Sequence, residues 1–407
     1  MKKITLLSIA ASAYLFAGGA LAPVEDVSTI VVDVAEKEIP KKIVFEELKD
    51  GSYCGPCNHD ESVIDGKLSV MGLTGTDFKD HDAFSKETSA LTASVELSAE
   101  KSFGKFFVGG ELSGTISSNE ITDNAFALAD GSVKSASAAI TRGYVGVNIT
   151  DGTSLKAGRI VLDTPLAFSE NWNAIDNTFE AVTVNSDILP RTNVQAGFIK
   201  GANSYLDLST FNELNGDKGM YFISAKSRVV NSIDVSGAYY LMPEQANEGI
   251  TTALYASASY TGDVVSGAIQ GGYIFGDSVV NNTSAVGAEL KGDGYGATFR
   301  GAVSKVEGSR EFRNVAGTKS PLYTQMQFND MAVVGDNTTY LLEGVKGSYT
   351  VAYGLTEGAS GSDYKELDLT YAKDYGDIEV LSTYANVDID AQEDNLHIIR
   401  VAARYAF

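Results

Sequence analysis

From Lys67 to Phe407 the chain alternates between apolar and polar residues in about 18 segments, and the links between them are sorted by length. The segments lie near 67–76, 88–99, 106–116, 138–149, 154–160, 178–185, 192–200, 219–228, 232–241, 251–260, 264–275, 283–291, 294–305, 338–347, 349–356, 364–373, 377–387 and 396–407. Starting with the second and third segments, every second link is short: SFGK, TDGT, SDILPR, VVNS, TGD, KGDG, KGS, DYGD. The others are longer, among them 117–137, 161–177, 201–218, 306–337 and 388–395. A strand turns successive side chains to opposite faces. Amphipathic strands with tight turns at one end and long loops at the other have the asymmetry of a transmembrane barrel. A soluble sandwich has no reason to sort its loops.

The last twelve residues, Leu396 to Phe407, sharpen this reading. Ile399, Val401, Ala403, Tyr405 and Phe407 share one face, and Arg400 and Arg404 lie on the other. A closing amphipathic strand with an aromatic at the bilayer interface is how outer-membrane barrels finish. Phe407 is therefore also the expected signal to the barrel assembly machinery. Other segments sort the same way. Tyr295, Ala297, Phe299, Gly301 and Val303 oppose Thr298, Arg300 and Ser304; Leu367, Leu369 and Tyr371 oppose Glu366, Asp368 and Thr370. In 138–149, Thr141, Val145, Val147 and Ile149 oppose Arg142, Tyr144 and Asn148. A charge facing lipid at mid-depth costs roughly 2–4 kcal/mol, so Arg300, Arg400, Arg404, Glu366 and Asp368 are expected on a wet lumen wall. About 18 strands enclose an aqueous channel rather than a packed core.

The start of the chain sets the compartment. Lys2 and Lys3 precede an apolar stretch, Ile4 to Phe16, and Ala20-Leu21-Ala22 fits a small-x-small cleavage site. Residues 1–22 read as a secretory signal peptide, and no later run is apolar enough for a membrane helix. The seven prolines, at 23, 40, 56, 165, 190, 243 and 321, all avoid the alternating segments, where each would remove a ladder donor. A net charge of −22 argues against nucleic acid as a partner. It suits a channel favouring cations, or contact with outer-membrane lipid and divalent-rich lipopolysaccharide.

Residues 23–66 do not alternate and form an N-terminal extension on the periplasmic side. They hold the only cysteines, in Cys54-Gly55-Pro56-Cys57, with His59 beyond. Three readings stand. A local Cys54–Cys57 disulfide suits an oxidising compartment. A metal site with His59 lacks a fourth ligand. Thiol redox chemistry lacks its βαβ scaffold. The scattered histidines (His59, His81, His397) suggest no catalytic triad, and no phosphate loop is visible, so no enzyme, cofactor or metal is expected. The acidic run 388–395 reads as a solvated loop before a calcium site.

The third long connection, 161–177, holds the only tryptophan, Trp172, with Asp163, Glu170 and Asp176. Around it stand Gly158-Arg159, Thr164-Pro165 and Asn177-Thr178-Phe179-Glu180. This run resembles the OprD-like (Opr-family) porins, including the Campylobacter-type major outer membrane porins. The resemblance covers about 30 residues closely and extends by strand count over 67–407. It implies that the third loop folds inward and narrows the pore. Asp163, Glu170, Asp176 and Glu180 would then face wall arginines such as Arg142, Arg159 and Arg191. By strict alternation Arg159 shares a face with Leu155 and Ala157, so it reaches the lumen only if a bulge or the strand end re-aims it. A homotrimer is a further implication of the resemblance.

The expected fold is thus an all-β, transmembrane antiparallel barrel of about 18 strands with a short N-terminal periplasmic extension. The expected function is passive diffusion of small hydrophilic solutes and ions, cations favoured, across the outer membrane. The alternative is a structural or adhesive barrel with a closed lumen, whose loops 201–218 and 306–337 contact a partner.

Overall fold

The computed structural model describes residues 62–76, 83–85, 88–118, 136–170, 174–204, 207–243, 251–277, 281–317, 319–328, 334–358, 363–390 and 394–407. The signal segment, Cys54, Cys57, His59, His81 and Trp172 lie outside the described residues.

In chain order the strands are β1 (Ser62–Gly75), β2 (Ala90–Phe103), β3 (Phe106–Ser117), β4 (Ala136–Thr150), β5 (Thr153–Ile160), β6 (Asp163–Thr164), β7 (Ala167–Phe168), β8 (Phe179–Ser186), β9 (Thr192–Ser204), β10 (Asp207–Glu213) and β11 (Met220–Val230). They continue as β12 (Ile233–Met242), β13 (Thr251–Tyr260), β14 (Val265–Gly276), β15 (Thr283–Gly294), β16 (Ala297–Glu307), β17 (Asn337–Lys346), β18 (Tyr349–Gly358), β19 (Tyr364–Tyr375), β20 (Ile378–Ile389) and β21 (Leu396–Ala406). Setting aside the small hairpin β6–β7 and the extra strand β10, 18 strands form one closed antiparallel barrel. Closure comes from β1, which pairs with β2 on one side and β21 on the other. Closing the sheet leaves no unpaired strand edge, as hydrocarbon requires. Each of the 18 expected segments overlaps one barrel strand, although β1 starts at Ser62 rather than Lys67.

Turns and long connections alternate between the two ends. Tyr295 and Gly296, both at positive φ (52° and 71°), make a two-residue hairpin turn whose twist matches its strands. Tyr295 was expected on a strand face, but this geometry moves it into the turn, where it is fully exposed. The outer surface is apolar: Val145, Ile269, Leu290 and Leu342 are each at least 60% exposed and all face away from the lumen. That band has no aqueous counterpart on a soluble domain of this size and fits a bilayer. The opposite faces carry Ser94, Glu96, Glu111, Ser304, Thr339, Glu366 and Asp368, all buried.

One wall segment breaks the alternation. Between β3 and β4 the register slips at Glu111/Leu112, where Glu111 pairs with Arg142 and Leu112 with Ile140. Thr141 is the extra residue of this bulge. It was expected on the apolar face with Val145; the bulge turns it inward beside Arg142, so both reach the lumen. Its hydroxyl donates to Glu111 Oε1 (2.8 Å) and shares a 2.6 Å hydrogen bond with Ser113.

Candidate pore constriction

The strands β5 and β8 that flank the third long connection are only eight residues each. Between them the chain leaves the wall and turns inward. At its start Asp163 Oδ2 accepts from Lys226 Nζ of β11 (2.5 Å), and Leu166 N donates to Tyr240 Oη of β12 (2.9 Å). Toward its end Ala174 O accepts from Ser94 Oγ of β2 (2.9 Å), and Thr178 Oγ donates to Thr141 O of β4 (2.8 Å). The connection therefore runs across the lumen from β11–β12 to β1–β4. Leu162, Leu166 and Ala167 supply the apolar footing, buried with Ile160, Phe179, Phe222 and Tyr240.

Asp176 arrives at a wall already charged. Lys67 Nζ lies 2.7 Å from Glu96 Oε1, and Arg142 Nε lies 3.4 Å from Glu111 Oε2. The Asp176 carboxylate stands 3.7 Å from Lys67 Nζ and 3.5 Å from Arg142 Nη2. Three carboxylates thus meet two cations, and Glu96 and Glu111 are almost fully buried. Removing carboxylates from water is costly unless each is paired, so this cluster is held in place by mutual need.

A second inward segment, the described residues 308–317 and 319–328 of the seventh long connection, meets the first. Val315 N donates to Leu166 O (2.9 Å), and Asn314 Nδ2 donates to Phe168 O (2.7 Å). Wall glycines receive two of its side chains: the Phe312 ring lies against Gly272, and Met326 Sδ against Gly354. A Cβ at either glycine would collide with its guest, so these positions on the lumen wall are dimples. Further along, Arg300 donates to Tyr323 O, and Ser304 shares a hydrogen bond with Thr324 (2.5 Å). Phe328 N donates to Glu366 Oε1 (2.9 Å) and Gln327 N to Asp368 Oδ2 (3.4 Å). The alternative that gave 306–337 to an external partner is corrected here over 308–328, which is committed to the barrel's own wall.

Of the seven residues expected at the constriction, Arg142 and Asp176 meet, and Asp163 reaches Lys226. Glu170 lies in the lumen but is only 3% exposed, sealed between the two loops. Arg159 and Glu180 correct the expectation. They pair across β5–β8 at 3.2 Å, on the face shared with Ala157 and Val182, and the Arg159 guanidinium stacks 3.9 Å from the Phe211 ring. The β4–β5 and β5–β8 ladders are regular at Arg159, and the register shift beside Glu180 lies on the far side, between β8 and β9, so no bulge of β5 turns Arg159 inward. Arg191 is a turn residue (φ 57°) bonded to Asn231 at the short-turn end (3.2 Å), and it lines one cavity with Lys226, the partner of Asp163. Arg300, Arg400, Arg404, Glu366 and Asp368 lie on lumenal faces; Arg300 Nε donates to Glu289 (2.9 Å), and Arg404 pairs with Glu379 (3.4 Å). Sequence reasoning placed Lys226 on a lumenal face but missed Lys67, Glu96 and Glu111. Their signal was a charge at alternate positions of an otherwise apolar strand. For Asn314 and the second loop no local signal existed.

Toward the short-turn end a cavity of about 860 Å³ opens, lined by Asp187, Arg191, Lys226, Arg228 and Asp234 among others. Arg228 and Asp234 form a two-point pair there (2.8 and 3.3 Å). Among the described residues no group of three or more His, Cys, Asp or Glu is placed to hold a metal ion. Lys365 pairs with Asp388 and Asp390 at 3.2 and 3.0 Å, at the start of the acidic run 388–395.

These features define a class: a large closed barrel with an apolar exterior and a charged lumen crossed by inward loops. Solved structures share the fold. The outer membrane protein OpdK of Pseudomonas aeruginosa matches at a TM-score of 0.69 and 14% identity, over 85% of this chain and 98% of its own. OpdK solved with vanillate gives 0.68 and 13%, over 84% and 98% of the two chains. OccAB1 of Acinetobacter baumannii gives 0.68 and 12%, over 85% and 96%. These are OprD/Occ-family porins, and the chain has their fold. Neither a protein-family model nor a curated relative matches the sequence.

Proposed function

We propose that the protein is an outer-membrane porin that passes small hydrophilic solutes and ions by diffusion through a lumen narrowed by its third and seventh long loops. The observation that carries this reading is Asp176. It projects from a loop that crosses a polar lumen and stands between wall cations whose own carboxylate partners are buried. Opposed charges in a narrow, low-dielectric channel focus the field and discriminate among solutes by charge and dipole. The shared fold of the Occ structures supports the same reading. Neither catalysis nor a bound cofactor is needed for it.

The finer assignment is a preference for cations. Carboxylates outnumber cations at the Asp176 cluster, and the whole chain carries −22. The short-turn end would face the periplasm, with the long loops toward lipopolysaccharide. The test is reconstitution in a planar bilayer under a salt gradient. Stepwise currents with a cation-favouring reversal potential are expected. Inserted barrels that carry no current would sink the porin reading.

A further inference from the structure

We infer that Glu170 is a positioning residue that keys the two inward loops into one arch and so sets the aperture, rather than a charge that filters solutes. This rests on the porin reading above. The Glu170 side chain is 3% exposed, so its charge does not face the open lumen. Its Oε1 accepts from Asn314 Nδ2 (2.9 Å) and from Lys319 N (2.9 Å), both in the seventh loop. Its backbone N donates to Asn177 Oδ1 (2.6 Å), and Asn177 Nδ2 donates to Ala316 O (3.4 Å). One carboxylate therefore joins the two loops directly, and a second pair of residues closes the same joint.

The seat is shaped for that carboxylate. At Gly317 the absent Cβ leaves the space that the Glu170 carboxyl fills, and any side chain there would collide with it. The carboxyl is the end of a flexible side chain, but moving it breaks both hydrogen bonds to the seventh loop. A buried carboxylate that loses its donors bears its full desolvation penalty. Asn314 is itself 2% exposed, so the joint is shielded from bulk solvent. Each loop is anchored on its own wall: the third on β2, β4, β11 and β12, the seventh on β14, β16, β18 and β19. The joint at Glu170 is where those two independent footings meet.

The test uses the full chain with three variants: Glu170→Ala, Gly317→Ala and the double substitution. Gly317→Ala changes no charge, which separates positioning from electrostatics. Both single variants are expected to raise single-channel conductance at least about twofold, with the double no larger than either, because both break one joint. Trypsin should cut both at Arg310, Arg313 or Lys319 faster than wild type, a readout that does not need conduction. A shifted reversal potential at unchanged conductance in Glu170→Ala, with Gly317→Ala silent, would overturn the inference in favour of a filter charge. Unchanged tryptic protection in both variants would overturn it as well. Silent wild-type barrels would instead defeat the porin reading and leave the tryptic comparison to decide the joint.

Discussion

The Phe407 ring reaches over Gly66, and the two backbones exchange hydrogen bonds of 2.8 and 2.9 Å. The ring occupies the volume a Cβ on residue 66 would need. This pair extends the β1–β21 ladder by one step and seals the barrel at its short-turn end, with Tyr405 stacked beside the ring at 5.7 Å. Gly66→Val must therefore push the ring off the seam. An overpacked contact of this kind costs about 1–3 kcal/mol, so the heat-dependent gel shift of the folded barrel should move to lower temperature. An unchanged transition would mean the ring swings aside freely.

The strand pattern around that seam was legible because bilayer and lumen impose opposite demands on alternate residues. Leu396 to Phe407 states both on one short segment. The same logic placed Arg400, Glu366 and Asp368 inward. It failed at Thr141, since a bulge is set by the register between two strands and leaves no mark on either sequence. The third loop was legible through a resemblance, whereas the seventh was not. Its docking depends on Gly272 and Gly354 lying opposite Phe312 and Met326 in space, and single glycines in strands carry many meanings.

Asp176→Asn should lower the cation-to-anion permeability ratio by roughly two- to fivefold, because one carboxylate is lost beside Lys67 and Arg142 and both gain weight in the local field. The reversal potential under a salt gradient reads this directly. The shift should shrink in high salt, where the Debye length falls below the spacing of the cluster. An unshifted reversal potential at low salt would remove Asp176 from the permeation path.

Glu180→Gln serves as the opposite case. Its carboxylate pairs with Arg159 on the outer face, with Phe211 stacked on the guanidinium. Both side chains are about a third exposed, so the pair contributes about 0–1 kcal/mol after screening. Conductance and reversal potential should both stay at wild-type values. A selectivity change as large as that of Asp176→Asn would show that the Arg159 face communicates with the lumen.

Two glycines that look alike in sequence separate wall from dimple. Gly237 of β12 is on the outer face, where a new Cβ would meet Tyr255 O at 3.7 Å, an ordinary contact. Gly272 of β14 is on the inner face, where a new Cβ would run into the Phe312 ring. Phe312 is fully buried and has no spare volume to retreat into, since it packs with the cluster that includes Leu166, Tyr240 and Leu322. Gly237→Ala should be neutral within about 0.5 kcal/mol, or mildly stabilising through reduced backbone freedom in the unfolded chain. Gly272→Ala should lift Phe312 and cost about 1–3 kcal/mol, with faster tryptic cleavage at Arg313 beside it. The direction is set by which face each residue occupies, so equal effects at the two positions would contradict the assignment of lumen and lipid faces on which the constriction rests.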